Sequence, residues 1–243
     1  MKPKVPDEKV PFTHEVPREF IEYAKRIVPP NAIFCDIGSR DALDGIYLYK
    51  ALDAAECHIF EPNPTAIEIC ESNIAKYGEG YSIFFNPVGL SDREGRVDFF
   101  SVNPAKSENR NIGFSSMFTI NPAYTKRRGA IVQEKQQITV TTLDSYFAKR
   151  KLPDLLWVDV EGAELLVFSG GEKVLEQVKL MHVEVSFRHM HIGKPLFWEI
   201  DEFLKKRHFS FFKFVGVSRP KAVLVIHKLL PNLPWRWNAI YYR

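Results

Sequence analysis

Leu155-Leu-Trp-Val-Asp-Val-Glu-Gly-Ala-Glu164 places four apolar residues directly ahead of three carboxylates and a glycine. The apolar run has the length and character of a buried strand, and the acids follow at its C-terminal tip. An ionised carboxylate is expensive to desolvate unless it is paired or faces water, so acids at a strand tip belong on a cleft. In an open α/β sheet, ligands bind in the crevice outside the carboxyl ends of the strands. The plainer reading is a strand running into a helix whose first turn is capped by Asp159 or Glu161.

The upstream sequence favours the cleft. Two more short apolar runs end in acids, Ala32-Ile-Phe-Cys-Asp36 and Cys57-His-Ile-Phe-Glu61. Between and around them the spacing predicts helices over 17–28, stopped by Pro29-Pro30, over 43–52, and from Pro64 to a stop at Gly78. Alternation of this kind argues for a parallel sheet with crossover helices. In a right-handed, doubly wound sheet, Asp36, Glu61 and Asp159 would lie along one edge.

Asp36-Ile-Gly38 sets a carboxylate and a glycine at the first strand-to-helix turn, where a ligand can approach the backbone closely. Glu61 lies 25 residues after Asp36, at the end of the second strand, where an acid can accept hydrogen bonds from both ribose hydroxyls. The turn reads Gly38-Ser-Arg-Asp-Ala-Leu-Asp-Gly45, which has neither the GxGxxG seat for a pyrophosphate nor a P-loop Gly-Lys-Ser/Thr. A ligand with ribose and adenine but no phosphates is S-adenosylmethionine, whose sulfonium suits a place beside Asp36 and Asp159.

Further strands are predicted over 82–88, 96–101, 137–142, 155–160, 180–185, 209–215, 222–226 and 238–242. Helices are predicted over 143–149, after Glu164 up to Gly170-Gly171, and over 195–208. Residues 103–128 are polar and broken by Pro104 and Pro122, so the wider segment 103–136 reads as a lid or acceptor-binding insertion. The Trp235-Arg-Trp237 segment is expected to pack its aromatics over the sheet edge.

At 243 residues the chain reads as one domain, with 1–30 as an N-terminal helical extension. A net charge of +3 without long like-charge blocks gives no reason to invoke nucleic acid; Lys126-Arg-Arg128 and Lys205-Lys-Arg207 read as solvated faces. The N-terminus has no apolar signal region and no stretch is long enough to span a bilayer, so a soluble, cytoplasmic protein is expected. Cys35, Cys57 and Cys70 are odd in number and lack CxxC spacing, which suits buried reduced thiols.

Beyond this, the chain resembles the FkbM-type S-adenosylmethionine-dependent methyltransferases. The resemblance rests on Phe34-Cys-Asp-Ile-Gly-Ser39, Phe60-Glu-Pro-Asn-Pro64, Asn86-Pro-Val-Gly-Leu-Ser-Asp92, Gly113-Phe-Ser-Ser116, Thr141-Thr-Leu-Asp144 and Asp159-Val-Glu-Gly-Ala-Glu164, in that order. It implies a class I methyltransferase fold: a Rossmann-like, doubly wound, mostly parallel α/β sheet of seven strands with the last antiparallel. It further implies methyl transfer, usually to a hydroxyl oxygen. Carried over by position, Asp36 and Gly38 line the methionine part, Glu61 holds the ribose and Gly89, Leu90, Ser91 and Asp92 flank the adenine, with Ser39, Arg40, Pro62, Asn63 and Asp159 as further cofactor contacts. Asp159 and Glu161 face the transfer site. The first turn is longer and more charged than the family's usual one, and Trp157 stands where a Lys is common.

Removing a hydroxyl proton calls for a base, and the candidates are Asp159, Glu161, Glu184 and His189, with His191 beside it. His182 and Glu184 share a strand face and, with Asp159, form the conceivable divalent-cation set, but no metal is expected. Ser115 and Ser116 are further contact candidates over the cofactor or acceptor. The expected function is an O-methyltransferase acting on a sugar or another polyhydroxylated small molecule. The alternatives are a nicotinamide-dependent oxidoreductase, which lacks its glycine fingerprint here, and a catalytically inactive Rossmann-like binding module.

Overall fold

The computed structural model describes residues 16–216 and 236–243. The expected strand over 222–226, Trp235 and most of the N-terminal extension lie outside them, as do the side chains of 126–128.

Helix α1 (Arg18–Ile27) leads into β1 (Ile33–Ile37), and α2 (Leu43–Leu52), β2 (Glu56–Phe60), α3 (Pro64–Tyr77) and β3 (Ile83–Asn86) continue the alternation. Asn63 caps α3 through its side chain, Pro64 takes the first helical position and Gly78 closes it. Later come β7 (Leu155–Val158), α6 (Glu164–Ser169), α7 (Glu172–Gln177), β8 (Leu180–Ser186), α8 (Phe197–Lys205), β9 (Ser210–Phe214) and β10 (Arg236–Tyr242).

These strands form one seven-stranded sheet in the order β3-β2-β1-β7-β8-β10-β9. Pairing is parallel from β3 to β8, while β10 inserts antiparallel between β8 and β9. The expected doubly wound sheet with one antiparallel strand is therefore the one observed.

Two expected strands fold differently. Residues 96–101 and 137–142 belong to β5 (Gly95–Val102) and β6 (Gln133–Thr141), which pair with each other and with the short β4 (Gly89–Leu90) in a separate three-stranded sheet. Their alternating exposed positions suit a sheet with one wet face, whereas central strands are buried on both faces. The polar 103–136 segment is also more structured than its composition suggests. It holds a 3₁₀ turn at Ile112–Phe114 and α4 (Pro122–Arg128) before β6 begins, with α5 (Leu143–Phe147) after it.

The sheet is buried on both faces. Cys35, Ile37, Leu156, Val158 and Val183 meet α6, α7 and α8 on one side, and Phe34, Leu155, Leu180 and Ile240 meet α1 and α2 on the other. Near the C-terminal ends of the strands, that second face turns polar: Asp36, Trp157, His182, Glu184 and Asn238 replace the aliphatic layer. Trp237 stands on β10, an interior strand, partly buried and 5.8 Å from Phe214, not over a sheet edge.

Candidate active site

Register brings the acidic strand tips together. Ile37 pairs with Phe60 on one side and Val158 on the other, so Gly38, Glu61 and Asp159 emerge at one level. Gly38 has φ +84°, and a Cβ there would lie 1.9 Å from the Asp159 carbonyl oxygen. Its N–H donates to the Phe60 carbonyl at 2.9 Å, which ties the first turn to the second strand.

Two cavities enclosing about 590 and 990 Å³, open-solvent space included, lie over this edge. The first is largely apolar, walled by Phe60, Val88, Leu90, Phe99 and Met117, with Glu61, Pro62, Asn63 and Gly89 at its side. The second is polar and floored by the sheet, with Asp36, Ser39, Asp44, Glu184, Arg236 and Asn238 around it. Gly38, Arg40, Gly113, Asp159 and Glu161 line both, so the cavities meet at the strand tips.

Glu61 is held by two backbone donors: Arg40 N–H at 2.8 Å and Asn63 N–H at 2.7 Å. Burial still raises its carboxyl to about 7, against those hydrogen bonds. Asp36 is raised to about 7 as well, mainly by burial, although the Ser39 hydroxyl donates to it. The charged first turn gains a structural explanation: Asp41 caps Leu43 N–H at 3.0 Å and receives Arg40 Nη2 at 3.1 Å, while Arg40 and Ala42 adopt positive φ.

Past β7 the backbone turns sharply, with φ +50° at Glu161 and +117° at Gly162. Ser116 pins this turn by donating its hydroxyl to the Glu161 carbonyl at 2.8 Å. Behind it lies an ionic network. Arg236 Nη1 bridges Glu161 Oε1 at 2.6 Å and Glu184 Oε1 at 2.9 Å; Lys194 Nζ sits 3.1 Å from Glu184 Oε2 and 3.9 Å from Glu161 Oε2.

Burial alone would raise both carboxyls. At Glu184 the two cations outweigh burial and hold it below the ordinary range, whereas Glu161, facing Glu184, rises to about 8. One charge thus settles on Glu184. Glu164 is buried behind the turn, accepting the Gly162 N–H at 3.0 Å, which suits support of the turn.

The sequence candidates divide. Asp36, Gly38, Ser39, Arg40, Glu61, Pro62, Asn63, Gly89, Leu90, Asp159, Glu161 and Glu184 all border the cavities. Ser91 borders neither: it is buried, its hydroxyl donates to Asp92, and its carbonyl packs against Gly170. His189 is exposed, its Nδ1 3.0 Å from the Lys194 carbonyl. Its neighbour His191 turns inward instead, with Nδ1 3.8 Å from Glu161 and the ring held neutral by burial.

His182 does not join the carboxylates as a ligand; it stacks flat on Trp157 at 3.5 Å. Asp159, Glu161 and Glu184 do bring one oxygen each within 4.8 Å of one another, but Arg236 and Lys194 already compensate that charge. Arg236 and Lys194 escaped the sequence reading, because nothing local marks a lysine before Pro195 or an arginine between two tryptophans as inward-facing.

Residues 36–211 match the family described as the methyltransferase FkbM domain. The chain belongs to the FkbM methyltransferase family. It is 27% identical over 174 residues to the 2-O-methyltransferase NoeI of Sinorhizobium fredii, covering 68% of each chain.

Two solved structures share the fold. Methyltransferase FkbM from Methylobacillus flagellatus superposes with a TM-score of 0.52 at 12% identity, over 92% of this chain and 50% of that one. Precorrin-6y C5,15-methyltransferase from Geobacter metallireducens gives 0.50 at 10% identity, over 95% and 92%. The chain thus spans half the length of the Methylobacillus structure. Among the described residues, no helix is long and apolar enough to cross a membrane.

Proposed function

We propose that this FkbM-family chain binds S-adenosylmethionine and transfers its methyl group to a hydroxyl of a sugar or another polyhydroxylated small molecule. The observation that carries the reading is the meeting of an apolar cavity and a polar one at Gly38, Asp159 and Glu161. A bisubstrate reaction needs such a meeting point, with donor and acceptor held in near-attack geometry. The relative NoeI, a 2-O-methyltransferase by name, supports the oxygen acceptor.

The residues fit the cofactor. The apolar walls of the first cavity suit adenine, and the doubly anchored Glu61 carboxylate suits the ribose diol. At the Gly38 turn, packed tightly against the Asp159 carbonyl, Asp36 and Ser39 border the space that suits the methionine part. When bound, S-adenosylmethionine supplies an electrophilic methyl group.

The chain's own work is to orient the acceptor hydroxyl and take its proton. Asp159 borders both cavities and is the carboxylate assigned to that proton, while Glu161 and Glu184, fixed by Arg236 and Lys194, orient the hydroxyl. His189 drops out of the base candidates because it is exposed away from the cavities.

Calorimetry with S-adenosylmethionine tests the first half; a folded sample that neither binds it nor responds to Glu61→Ala would sink the reading. A screen of sugars and hydroxylated metabolites for S-adenosylhomocysteine release tests the second. There Asp159→Asn should abolish turnover while changing cofactor affinity by less than about tenfold.

A further inference from the structure

We propose that the sheet floor of the second cavity, formed by His182, Glu184, Arg236 and Asn238, is the acceptor site, and that it takes a neutral, hydroxyl-rich ring in preference to an anionic or apolar molecule. The inference rests on the methyltransferase reading and deepens it.

Strand geometry assembles the floor. Asn238 on β10 lies directly opposite Glu184 on β8, and Ile240 opposite His182, while Arg236 is two residues from Asn238 on the same face. All four border the cavity.

His182 is 1% exposed, and neither of its ring nitrogens has a hydrogen-bond partner among the described residues. Trp157 covers one face of the ring and Phe20 approaches it edge-on at 5.4 Å, so an unpartnered imidazole is packed into the wall of the cavity. A buried polar group left unanswered is costly, which makes this imidazole a group that a ligand atom would satisfy.

The charges decide the ligand class. Five carboxyl groups (Asp36, Asp44, Asp159, Glu161 and Glu184) border the cavity and, even with Glu161 protonated, its two guanidiniums are both engaged: Arg40 with Asp41, Arg236 with Glu161 and Glu184. A carboxylate or phosphate on the acceptor ring would therefore meet acids without a cation to receive it. An apolar ring would leave the His182 nitrogens and the Asn238 amide unanswered. Hydroxyl groups donate and accept at once, so they can answer carboxylates and amide together.

The test uses the full chain saturated with S-adenosylhomocysteine, titrated by ligand-observed NMR with neutral methyl glycosides of the gluco, galacto, manno and fuco series. Methyl glucuronide and cyclohexanol serve as the anionic and apolar comparisons. At least one neutral glycoside should bind roughly tenfold or more tighter than either comparison. His182→Phe and Asn238→Leu should each weaken that binding by about fivefold or more, with S-adenosylhomocysteine affinity held within about twofold.

Absence of glycoside binding, equal binding of glucuronide or cyclohexanol, or binding indifferent to both variants overturns the proposal. Should His182→Phe fail to fold, Asn238→Leu, at a partly exposed position, decides alone. If S-adenosylhomocysteine does not bind, the methyltransferase reading falls, and the same titration on the free chain reads the acceptor site separately.

Discussion

At Gly38 there is no room for a side chain, since the Asp159 carbonyl occupies the place of a Cβ and φ is positive. Gly38→Ala should cost about 1–3 kcal/mol in urea denaturation, and should weaken S-adenosylmethionine binding by more than about tenfold in calorimetry. The two network carboxylates should separate just as clearly. Glu184 carries the charge that Lys194 and Arg236 face, so Glu184→Gln leaves a buried ammonium undercompensated and should destabilise by about 3–5 kcal/mol. Glu161, raised to about 8, is largely protonated at neutral pH, so Glu161→Gln should cost less than about 1 kcal/mol in the same denaturation experiment. Asp36, Glu61 and Asp159 were legible as site residues because each ends an apolar run. Arg236 and Lys194 were not, since a cation's inward orientation depends on carboxylates that arrive from other strands.

Helix α1 shows how an element shapes the site from outside it. Its buried face, Phe20, Ile21 and Ala24, docks on the sheet, and Phe20 meets the rings of Trp157 at 5.3 Å and His182 at 5.4 Å. Phe20→Ala should cost about 3–5 kcal/mol by urea denaturation and speed amide exchange across 18–27, because the aromatic stack under the second cavity loses its edge contact. The helices and strands around β1 and β2 were readable because proline, glycine and apolar runs mark their ends locally. Strands β5 and β6 were readable as strands but not as members of a second sheet. Alternation reports that one face is wet, while the choice of partner is made by the turn at Gly95 and the long return through 103–132.

Over the whole molecule, the buried acids make stability and cofactor binding depend on pH. Asp36 and Glu61 rise to about 7 in the fold, so the folded state holds protons that the unfolded chain releases near pH 4. Their stabilising contribution is complete below the unfolded values and is lost as pH rises through about 7. His182 and His191, lowered to about 3 and 4 by burial, work the other way: their contribution is present above pH 6.5 and fades as pH falls. Asp36→Asn should therefore gain stability relative to the natural chain as pH climbs from about 5 to 8, measured by denaturation at each pH. S-adenosylmethionine at about 100 times its dissociation constant should raise stability by about 2.7 kcal/mol, and NADH should leave the unfolding midpoint unchanged. The amino-acid sequence by itself determined the alternating strands and helices, the glycine at the first turn, the acids at three strand tips and the family. These are local facts, legible wherever burial period, turn chemistry and charge coincide within a few residues. The tertiary structure alone decided that His191 and not His189 turns inward, that Ser91 faces the core, and that Lys194 and Arg236 split the protonation of Glu161 and Glu184. Those outcomes depend on burial and on charges brought together from residues 159 to 236, and long-range electrostatics leaves no mark in any short stretch of chain.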